Sequence, residues 1–276
     1  MFNAFWGCNI PTSQPFVEKS ARLVFKKLGI LLRDIEGATC CPENDLTRRM
    51  DPEVALLISS ANIALAERSG IKDLVTFCNG CYHSLCHSYQ ILQDKQEIIR
   101  VNEKLGVSDL NYKGNIRLFP IAEFLASRIG INRIKDYITN PLANLKVACH
   151  YGCRLQERNL PELFDEIVRG VGAQIVRYGL ERMCCGTPAL YSDQDWSIME
   201  RARNKLISIK AIHADIIVVS CPACFRQLEL TQVLLKRNKE IYDLPIMHLT
   251  ELVALSIGFN EKDIGLEGHR IKYQRK

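Results

Sequence analysis

Residues 216–224 read IIVVSCPAC, an unbroken apolar run that ends in a Cys-x-x-Cys motif. Residues 74–81 read LVTFCNGC and repeat the pattern in the first half of the chain. Helical patterns lie on both sides of each run, and a near-continuous apolar strand between helices predicts a parallel sheet that is covered on both faces. The cysteines therefore follow the carboxyl end of a buried strand, which is the edge of such sheets where ligands bind.

The rest of the cysteine pattern also occurs twice, as one cysteine and an adjacent pair before each Cys-x-x-Cys. The two sets are Cys8, Cys40, Cys41, Cys78 and Cys81, and Cys153, Cys184, Cys185, Cys221 and Cys224. Cys153 follows Cys8 by 145 residues, and Cys224 follows Cys81 by 143 residues. Internal duplication explains this regularity. It predicts two tandem, pseudo-twofold-related α/β domains, residues 1–140 and 141–276, each a mostly parallel sheet flanked by helices.

Strand and helix patterns alternate in the same order in both halves. We predict strands over residues 2–6, 30–35, 74–77, 116–119, 146–150, 174–178, 216–220 and 246–248. We predict helices over residues 16–28, 52–69, 84–105, 122–137, 160–171, 194–211, 223–236 and 250–257. Asp51-Pro52 carries the N-cap and first-turn signals of a helix, and Asn140-Pro141 marks the domain boundary. The basic residues 269–276 are expected to form a solvated tail or a strand that docks on a partner subunit.

Composition excludes several function classes. The 276 residues are 47% apolar, which is enough for two hydrophobic cores. No apolar run approaches the roughly 20 residues needed to span a membrane, and the N-terminal residues lack a signal-peptide pattern, so a cytoplasmic protein is expected. The net charge of +5 is scattered along the chain and does not indicate nucleic-acid binding. Twelve cysteines without an export signal indicate metal ligands or redox groups rather than disulfides.

The count of five cysteines in each set distinguishes between metal sites. Structural zinc takes four ligands, usually as two separated pairs, and each set has one Cys-x-x-Cys pair. A cubane 4Fe-4S cluster also takes four thiolates, commonly from a compact run. Five dispersed thiolates favour an iron-sulfur cluster with either a spare cysteine or a bridging thiolate, while zinc and uncommitted thiols stay open. Glycines beside the cysteines and the helix starts at Cys78 and Cys221 would bring N–H groups toward an anionic cluster.

Some candidate residues lie outside the two sets. Cys86 and Cys149 have no counterpart in the other half, and a buried, inert thiol is the expected role for each. His83, His87 and His150 are the histidines nearest to the cysteine motifs. Proton delivery and a purely structural role are both open for them.

The segments around the cysteines carry a resemblance that spans nearly the whole chain. Residues 78–82 read CNGCY, residues 150–153 read HYGC and residues 183–186 read MCCG. Together with ten cysteines in matching order, they resemble the cysteine-rich CCG-domain family, and most closely the B subunits of heterodisulfide reductases. The resemblance implies two non-cubane 4Fe-4S clusters, each held by the five cysteines of one set. It also implies that cluster-bound Cys41, Cys81, Cys185 and Cys224 take part in catalysis.

The resemblance further implies an oxidoreductase of methanogenesis. Its B subunit reduces the mixed disulfide of coenzyme M and coenzyme B, a small-molecule substrate, to two thiols. Electrons would arrive through an iron-sulfur C subunit from a flavin-containing A subunit, and hydrogenase or formate dehydrogenase modules would connect through the flavin-containing one. The chain itself has no Gly-x-Gly-x-x-Gly fingerprint, so electrons are expected from another protein in a multisubunit complex. Two one-electron clusters suit a two-electron cleavage, and we predict that substrate binds between the two cysteine sets.

Two alternatives stay open at this point. One is an electron-transfer subunit of a related complex that acts on another disulfide or thiol, or on a quinone or flavin partner. The other is a scaffold with two structural zinc sites. Residues 187–191 read TPALY where the family typically continues with a glycine-rich stretch. Because proline is stiffer and bulkier than glycine, this difference predicts another shape for the pocket beside the second cluster.

Overall fold

The computed structural model describes residues 1–42, 47–155 and 159–274. Within them, eight strands form two parallel four-stranded sheets. The strands are β1 (Phe2–Phe5), β2 (Leu32–Asp34), β3 (Asp73–Thr76), β4 (Arg117–Pro120), β5 (Lys146–His150), β6 (Gln174–Val176), β7 (Ile216–Val219) and β8 (Ile246–His248). The strand orders are β2-β1-β3-β4 and β6-β5-β7-β8. The predicted α/β fold with a repeated parallel sheet is confirmed.

The strand order creates a topological switch point in each sheet. The chain leaves β1 toward β2 on one side and returns to β3 on the other side, so β1 lies between them. In the register, Ala4 faces Val75 in the first sheet and Ala148 faces Ile217 in the second. Every residue of β7 is buried, which explains its unbroken apolar sequence. The carboxyl ends of β1 and β3, and of β5 and β7, are thus the expected ligand edges.

Helices fill the connections between the strands. They are α1 (Asn9–Ser13), α2 (Pro15–Lys27), α3 (Thr47–Met50), α4 (Pro52–Glu67), α5 (Asn79–Ile91), α6 (Lys95–Leu105), α7 (Ile121–Glu123), α8 (Ile131–Lys135), α9 (Leu160–Gly170), α10 (Gln194–Trp196), α11 (Asn204–Ala211), α12 (Pro222–Arg237), α13 (Leu249–Ser256) and α14 (Glu261–Ile264). Wider π-helical turns join α7 to α8 over Phe124–Gly130 and α10 to α11 over Ser197–Arg203. Across the described residues, none of these helices is long and apolar enough to cross a membrane.

Local capping signals decide where several helices begin. The Asp51 side chain accepts hydrogen bonds from the backbone N–H groups of Glu53 and Val54, which confirms the predicted start of α4. The single helix predicted over residues 84–105 is wrong, because α5 ends at Ile91 and α6 begins at Lys95. Asp94 caps α6 by accepting from the backbone N–H of Gln96. Its carboxylate offers the backbone an alternative to continuing the helix.

The chain separates into two compact units. Unit 1 comprises Met1–Thr12 and Gly29–Ile121, and unit 2 comprises Ser13–Leu28 and Ala122–Lys276. The helix α2 follows β1 in sequence but belongs to unit 2, where the Ser20 hydroxyl lies 2.9 Å from the Thr250 hydroxyl of α13. The division into residues 1–140 and 141–276, which follows the sequence repeat, stays a prediction.

The C-terminal residues differ from the solvated tail expected from their charge. His269 is buried and its ring lies 4.3 Å from that of Phe16, measured between centroids. Its Nε2 atom lies 2.8 Å from a carboxylate oxygen of Glu251, and both side chains are fully buried. The backbone N–H of Arg270 donates to Glu229 at 2.7 Å. The expectation is therefore wrong for residues 269–271, and residues 275–276 lie outside the described part of the chain.

Candidate metal centres

The first cysteine set gathers at the carboxyl edge of the first sheet. Cys8 comes three residues after the end of β1, and Cys78 is the N-cap of α5, with Cys81 in the first helical turn. The loop after β2 supplies Cys40 and Cys41. Cys41, Cys78 and Cys81 are buried, whereas Cys8 and Cys40 are exposed. The set is therefore anchored in the core and open to solvent on one side.

The second set is built in the same way on the second sheet. Cys153 follows β5, and Cys221 caps α12 with the same extended backbone that Cys78 has at α5. Cys185, Cys221 and Cys224 are buried, Cys184 is half-buried and Cys153 is exposed. The burial pattern of the first set thus recurs nearly position for position.

Within each set the thiols form one connected chain. In the first, side-chain hydrogen bonds link Cys8 to Cys40, Cys40 to Cys41, Cys41 to Cys81 and Cys81 to Cys78. In the second, they link Cys153 to Cys184, Cys184 to Cys185, Cys185 to Cys224 and Cys224 to Cys221. The sulfur atoms of Cys41 and Cys81 are 3.1 Å apart. The order of contacts is the same in both sets, so the duplication extends to the arrangement of the side chains.

The glycine before each lone cysteine leaves room for a sulfur atom. Gly7 has a φ of +67°, and a Cβ atom placed there would lie 2.6 Å from the Cys81 sulfur. Gly152 has a φ of +68°, and its Cβ atom would lie 3.5 Å from the Cys224 sulfur. Left-handed φ values favour glycine on their own. At Gly7 the close approach of sulfur is a second and stronger requirement.

Crowding of the thiols shifts their acidity in both sets. Hydrogen bonds from Cys40 and Cys81 hold the pKa of Cys41 well below its ordinary value. Hydrogen bonds from Cys153 and Cys185 lower the pKa of Cys184 to about 2. Each set thus favours a thiolate stabilised by neighbouring S–H donors. Because metals bind deprotonated cysteine, such a thiolate is a ready first ligand.

Polar groups of the loops add donors to the second set. The backbone N–H of Gly186 donates to the Cys184 sulfur at 3.4 Å, and the Thr187 hydroxyl lies 3.2 Å from the Cys185 sulfur. Gly186 has a φ of +101°, and a Cβ atom there would lie 2.7 Å from the carbonyl oxygen of Ser197. The turn that presents this N–H therefore requires glycine. Thr187 opens the short 3-10 helix Thr187–Tyr191, the segment where the sequence departs from a glycine-rich stretch.

Two buried polar side chains accompany the second set. A ring nitrogen of His150 and the sulfur atoms of Cys185 and Cys224 all lie within 4.8 Å of one another. Burial and repulsion by Lys205 lower the pKa of His150 to about 3, so the ring is neutral at pH 7. Lys205 is fully buried, and its ammonium group donates to the carbonyl oxygen of Leu180. His150 was a candidate from sequence, but Lys205 was missed because it lies on a helix far from any cysteine in the sequence.

The cysteines outside the two sets have different surroundings. Cys149 is fully buried in β5, where burial and Asp165 raise its pKa well above the ordinary value, as expected of an inert thiol. Cys86 is half-buried on α5. His83 and His87 lie on the same helix, and burial followed by repulsion from Arg48 lowers the pKa of His87.

An open cavity of about 330 Å³ lies beside the second set, on the side of β6. Met183, which precedes Cys184, is part of its lining, as are Tyr151 and Arg177. The Arg177 guanidinium pairs with the buried carboxylate of Asp165, and the Tyr151 hydroxyl donates to the same carboxylate. Arg177 is thus held by an ion pair within the protein, and Arg169 shares the same carboxylate.

The donor sets fit a metal cluster better than a single ion. A tetrahedral zinc site is complete with four ligands, and each set offers five connected thiols. The buried Nε2 atom of His150 has no hydrogen-bond partner among the described residues, which would be costly unless a further group meets it. Cys78 and Cys221 lie at helix N-termini, where the helix dipole favours an anionic cluster.

Comparison with known proteins adds a family match. A model described as a cysteine-rich domain, CCG, matches residues 2–86 and 147–229. The chain is 35% identical to the B subunit of the ferredoxin/F420H2-dependent CoB-CoM heterodisulfide reductase of Methanosarcina acetivorans, over 97% of this chain and 93% of that protein. It is 31% identical to the 8-methylmenaquinol:fumarate reductase membrane anchor subunit of Wolinella succinogenes, over 96% of this chain and 95% of that protein.

Among solved structures, a hypothetical protein from Helicobacter pylori superposes with a TM-score of 0.80 at 18% sequence identity. The match covers 99% of this chain and 52% of that chain. At this level of identity the likeness shows the fold alone.

Proposed function

The chain belongs to the cysteine-rich CCG-domain family, and we propose that it is the subunit of an oxidoreductase complex that reduces a disulfide at two iron-sulfur clusters. The proposed substrate is the mixed disulfide of coenzyme M and coenzyme B. Its support is the name of the relative from Methanosarcina acetivorans, which is 35% identical to this chain. The reaction adds two electrons and two protons to the disulfide and releases two thiols.

The observation that carries this proposal is the duplicated chain of five thiols. Cleavage of a disulfide takes two electrons, and a single cluster ordinarily passes one electron at a time. When bound, each cluster would supply one of the two electrons. Cys8, Cys40, Cys41, Cys78 and Cys81 would hold one cluster, and Cys153, Cys184, Cys185, Cys221 and Cys224 would hold the other. A fifth thiolate in each set supports a non-cubane cluster rather than a cubane, which takes four.

Burial divides the thiols of each set by role. Cys41, Cys81, Cys185 and Cys224 are buried, so they would act as ligands that fix the cluster in the core. Cys8 and Cys153 are exposed, and we expect the substrate to approach each cluster from this side. Thr187 and the N–H of Gly186 would add hydrogen bonds to the second cluster through Cys185 and Cys184. Such bonds stabilise negative charge on sulfur.

A second candidate is electron transfer without disulfide chemistry. It is supported by the Wolinella succinogenes relative, which is 31% identical to this chain and is named as part of an 8-methylmenaquinol:fumarate reductase. Residues 187–191 support it as well, because this segment directly follows the adjacent cysteines of the second set and departs from the glycine-rich stretch, and Tyr191 is 72% exposed. In this case the clusters would pass electrons between a quinone and a flavin partner.

Both candidates require other subunits, since no nucleotide-binding fingerprint occurs in the chain. We propose an iron-sulfur C subunit as the direct electron donor and a flavin-containing A subunit behind it. Hydrogenase or formate dehydrogenase modules would connect through the flavin-containing one. The proposed location of the complex is the cytoplasm.

The test uses the full chain loaded anaerobically with iron and sulfide. We expect iron and sulfide for two clusters per chain and a change in the electron paramagnetic resonance spectrum when the coenzyme M and coenzyme B disulfide is added. Cys41→Ala and Cys185→Ala should each remove the signal of one cluster and abolish disulfide reduction. Cys86→Ser is the control, because Cys86 lies outside both sets, and it should keep both signals.

Several outcomes would contradict the proposal. Stoichiometric zinc with little iron would exclude iron-sulfur chemistry. Disulfide reduction that survives the loss of either cluster would exclude the two-cluster mechanism. A spectrum that responds to a menaquinol but not to the disulfide would replace the first candidate by the second.

A further inference from the structure

The two thiol sets match each other, but the polar groups around them do not. His150 lies three residues before Cys153, and the residue at the same position before Cys8 is Phe5. Lys205 lies 11 residues before the start of β7, and the residue at the same distance before β3 is Asn62. The first repeat thus has an apolar ring and an amide where the second has an imidazole and an ammonium group.

Asn62 has a structural role in the first repeat. Its side-chain oxygen accepts from the backbone N–H of Thr39 at 2.8 Å, and its side-chain nitrogen donates to the carbonyl oxygen of Cys40 at 3.3 Å. These bonds hold the loop that carries the adjacent cysteines. Lys205 also binds a loop carbonyl, that of Leu180. In contrast to Asn62, it brings a positive charge into electrostatic contact with Cys184, Cys185 and Cys224.

The hydrogen bonds of His150 decide which ring nitrogen carries the proton. Its Nδ1 atom lies 3.2 Å from the Tyr178 hydroxyl, and that hydroxyl has one hydrogen-bond partner within the described ranges. If the hydroxyl donates to Nδ1, the phenol proton has an acceptor, and Nε2 carries an N–H that faces the sulfur atoms of the second set. If Nδ1 donated to the hydroxyl, the buried phenol proton would have no acceptor and an Nε2 lone pair would face thiolate sulfurs. The first arrangement is favoured, because its remaining donor, Nε2–H, faces sulfur atoms that can accept a hydrogen bond, whereas the second leaves the phenol proton without an acceptor.

The Nε2–H group therefore points toward the sulfur atoms of the second set. A ring nitrogen of His150 lies within 4.8 Å of the Cys185 and Cys224 sulfurs. Nδ1 is bonded to Tyr178, whereas Nε2 is buried without a partner among the described residues. Gly152 borders both groups, because a Cβ atom there would lie 3.5 Å from both His150 Nε2 and the Cys224 sulfur, which is an ordinary van der Waals distance. The N–H group is therefore placed to donate a hydrogen bond to a sulfur atom.

We propose that His150 donates an Nε2–H···S hydrogen bond to the cluster of the second set and, together with Lys205, raises its reduction potential above that of the first cluster. This inference rests on the proposed binding of iron-sulfur clusters. Hydrogen bonds to sulfur and a nearby positive charge stabilise the more negative, reduced state. The first cluster has Phe5 and Asn62 at the corresponding positions. Electrons reaching this protein therefore collect at the second cluster, and His150 is a positioning residue that acts through the cluster.

The test measures the reduction potential of each cluster in the full chain loaded with iron and sulfide. The method is a redox titration monitored by electron paramagnetic resonance. In the wild type we expect the second cluster to be the easier one to reduce. His150→Phe, which copies Phe5, should shift the electron distribution toward the first cluster by about tenfold, equal to about 59 mV for a one-electron couple. The signals are assigned to their sets by comparison with Cys41→Ala and Cys185→Ala.

Further variants distinguish a hydrogen bond from a change in packing. His150→Gln keeps an N–H donor and should retain most of the potential difference. Tyr178→Phe releases Nδ1 and should lower the second potential by a smaller amount. Lys205→Met, which keeps the length of the side chain, should lower it without removing the Nε2–H coupling. His213→Gln is the matched control on an exposed histidine that precedes β7, whereas Cys221 and Cys224 follow it, and this variant should change neither potential.

Pulsed electron paramagnetic resonance provides an independent measurement of the hydrogen bond. An exchangeable proton coupled to the second cluster should appear in the wild type and disappear in His150→Phe. Equal potentials of the two clusters, or a second potential that His150→Phe leaves unchanged, would overturn the inference. A strong nitrogen coupling typical of direct ligation would overturn the donor role. If no clusters form at all, iron analysis shows this directly, and the proposed function fails rather than this inference alone.

Discussion

The first and second thiol sets have the same skeleton and different surroundings. Both sets link five thiols in the same order at the carboxyl edge of a parallel sheet. Phe5 stands at the end of the strand that leads to the first set, whereas His150 and Lys205 are buried beside the second. The skeleton determines which ligands are available, and the surroundings determine how stable a negative charge is. Duplication has thus produced two sites with the same thiols and different polar surroundings.

The two glycines that precede Cys8 and Cys153 allow the strongest test of this comparison. Gly7→Ala would place a Cβ atom 2.6 Å from the Cys81 sulfur, while Gly152→Ala would place one 3.5 Å from the Cys224 sulfur. Both substitutions carry a left-handed backbone strain of roughly 1–2 kcal/mol. We expect Gly7→Ala to lose most of the first cluster and Gly152→Ala to keep most of the second, as measured by iron content and resonance signals.

The control for backbone strain is Gly29→Ala. Gly29 has a φ of +68° and no atom within 4 Å of an added Cβ, so this variant carries the strain without the contact. It should keep both clusters. Equal losses in Gly7→Ala and Gly152→Ala would mean that backbone strain, and not the approach of sulfur, explains both glycines.

The residues before Gly7 and Gly152 are Trp6 and Tyr151, and their carboxylate partners allow a second comparison with a smaller expected effect. Trp6 donates to the exposed carboxylate of Asp34 at 2.8 Å, whereas Tyr151 donates to the buried carboxylate of Asp165. Asp165→Asn should destabilise the second sheet by about 1–3 kcal/mol, because it removes a buried charge bound to Tyr151 and Arg177. Asp34→Asn should change stability by less than about 1 kcal/mol. Hydrogen exchange of the amides in each sheet measures both changes in stability. Similar changes for the two variants would show that burial of the carboxylate does not determine how much it stabilises its sheet.

A third comparison concerns the C-terminal residues, which pack against α13 within unit 2. Burial alone would lower the pKa of His269, but the buried carboxylate of Glu251 raises it above the ordinary value. A raised pKa stabilises the folded state at pH values below the ordinary histidine pKa, about 6.5, and this contribution is lost as pH rises through the higher folded pKa. Amides of α13 should therefore exchange faster at pH 8.5 than at pH 6, after correction for intrinsic rates. The amides of β1 and β3 serve as the reference, and Glu251→Gln should remove the pH dependence.

Much of the fold followed from local signals in the sequence. The apolar runs at residues 146–150 and 246–248 became β5 and β8 with the predicted bounds, since buried parallel strands read as continuous apolar segments. Asp51-Pro52 started α4 as its capping chemistry predicts. The capping signal at Asp94 was not used in the prediction. The single helix predicted over residues 84–105 is therefore two helices, α5 and α6, in the structure. The helix α2 was predicted, but its packing on α13 was not, because periodicity identifies the apolar face and not its partner.

The candidate site was predictable to the extent that cysteine spacing reveals it. The ten cysteines were named from sequence, and the structure links them into two chains of contacts. Their roles as cluster ligands stay a proposal. Lys205 could have been found by aligning the two repeats, which sets it against Asn62, but only the fold shows that it is buried and interacts electrostatically with three cysteines.

The duplication, the class of sheet and the ten thiols can be read from the sequence, because apolar strands and motif spacing are properties of short segments. The order in which the thiols meet, the sulfur contact that excludes a side chain at Gly7 and the unpaired ring nitrogen of His150 are visible only in the folded chain. These features depend on loops from separate strands that converge at one sheet edge. Distances between residues on different loops are set by tertiary packing, which no single segment of the chain determines.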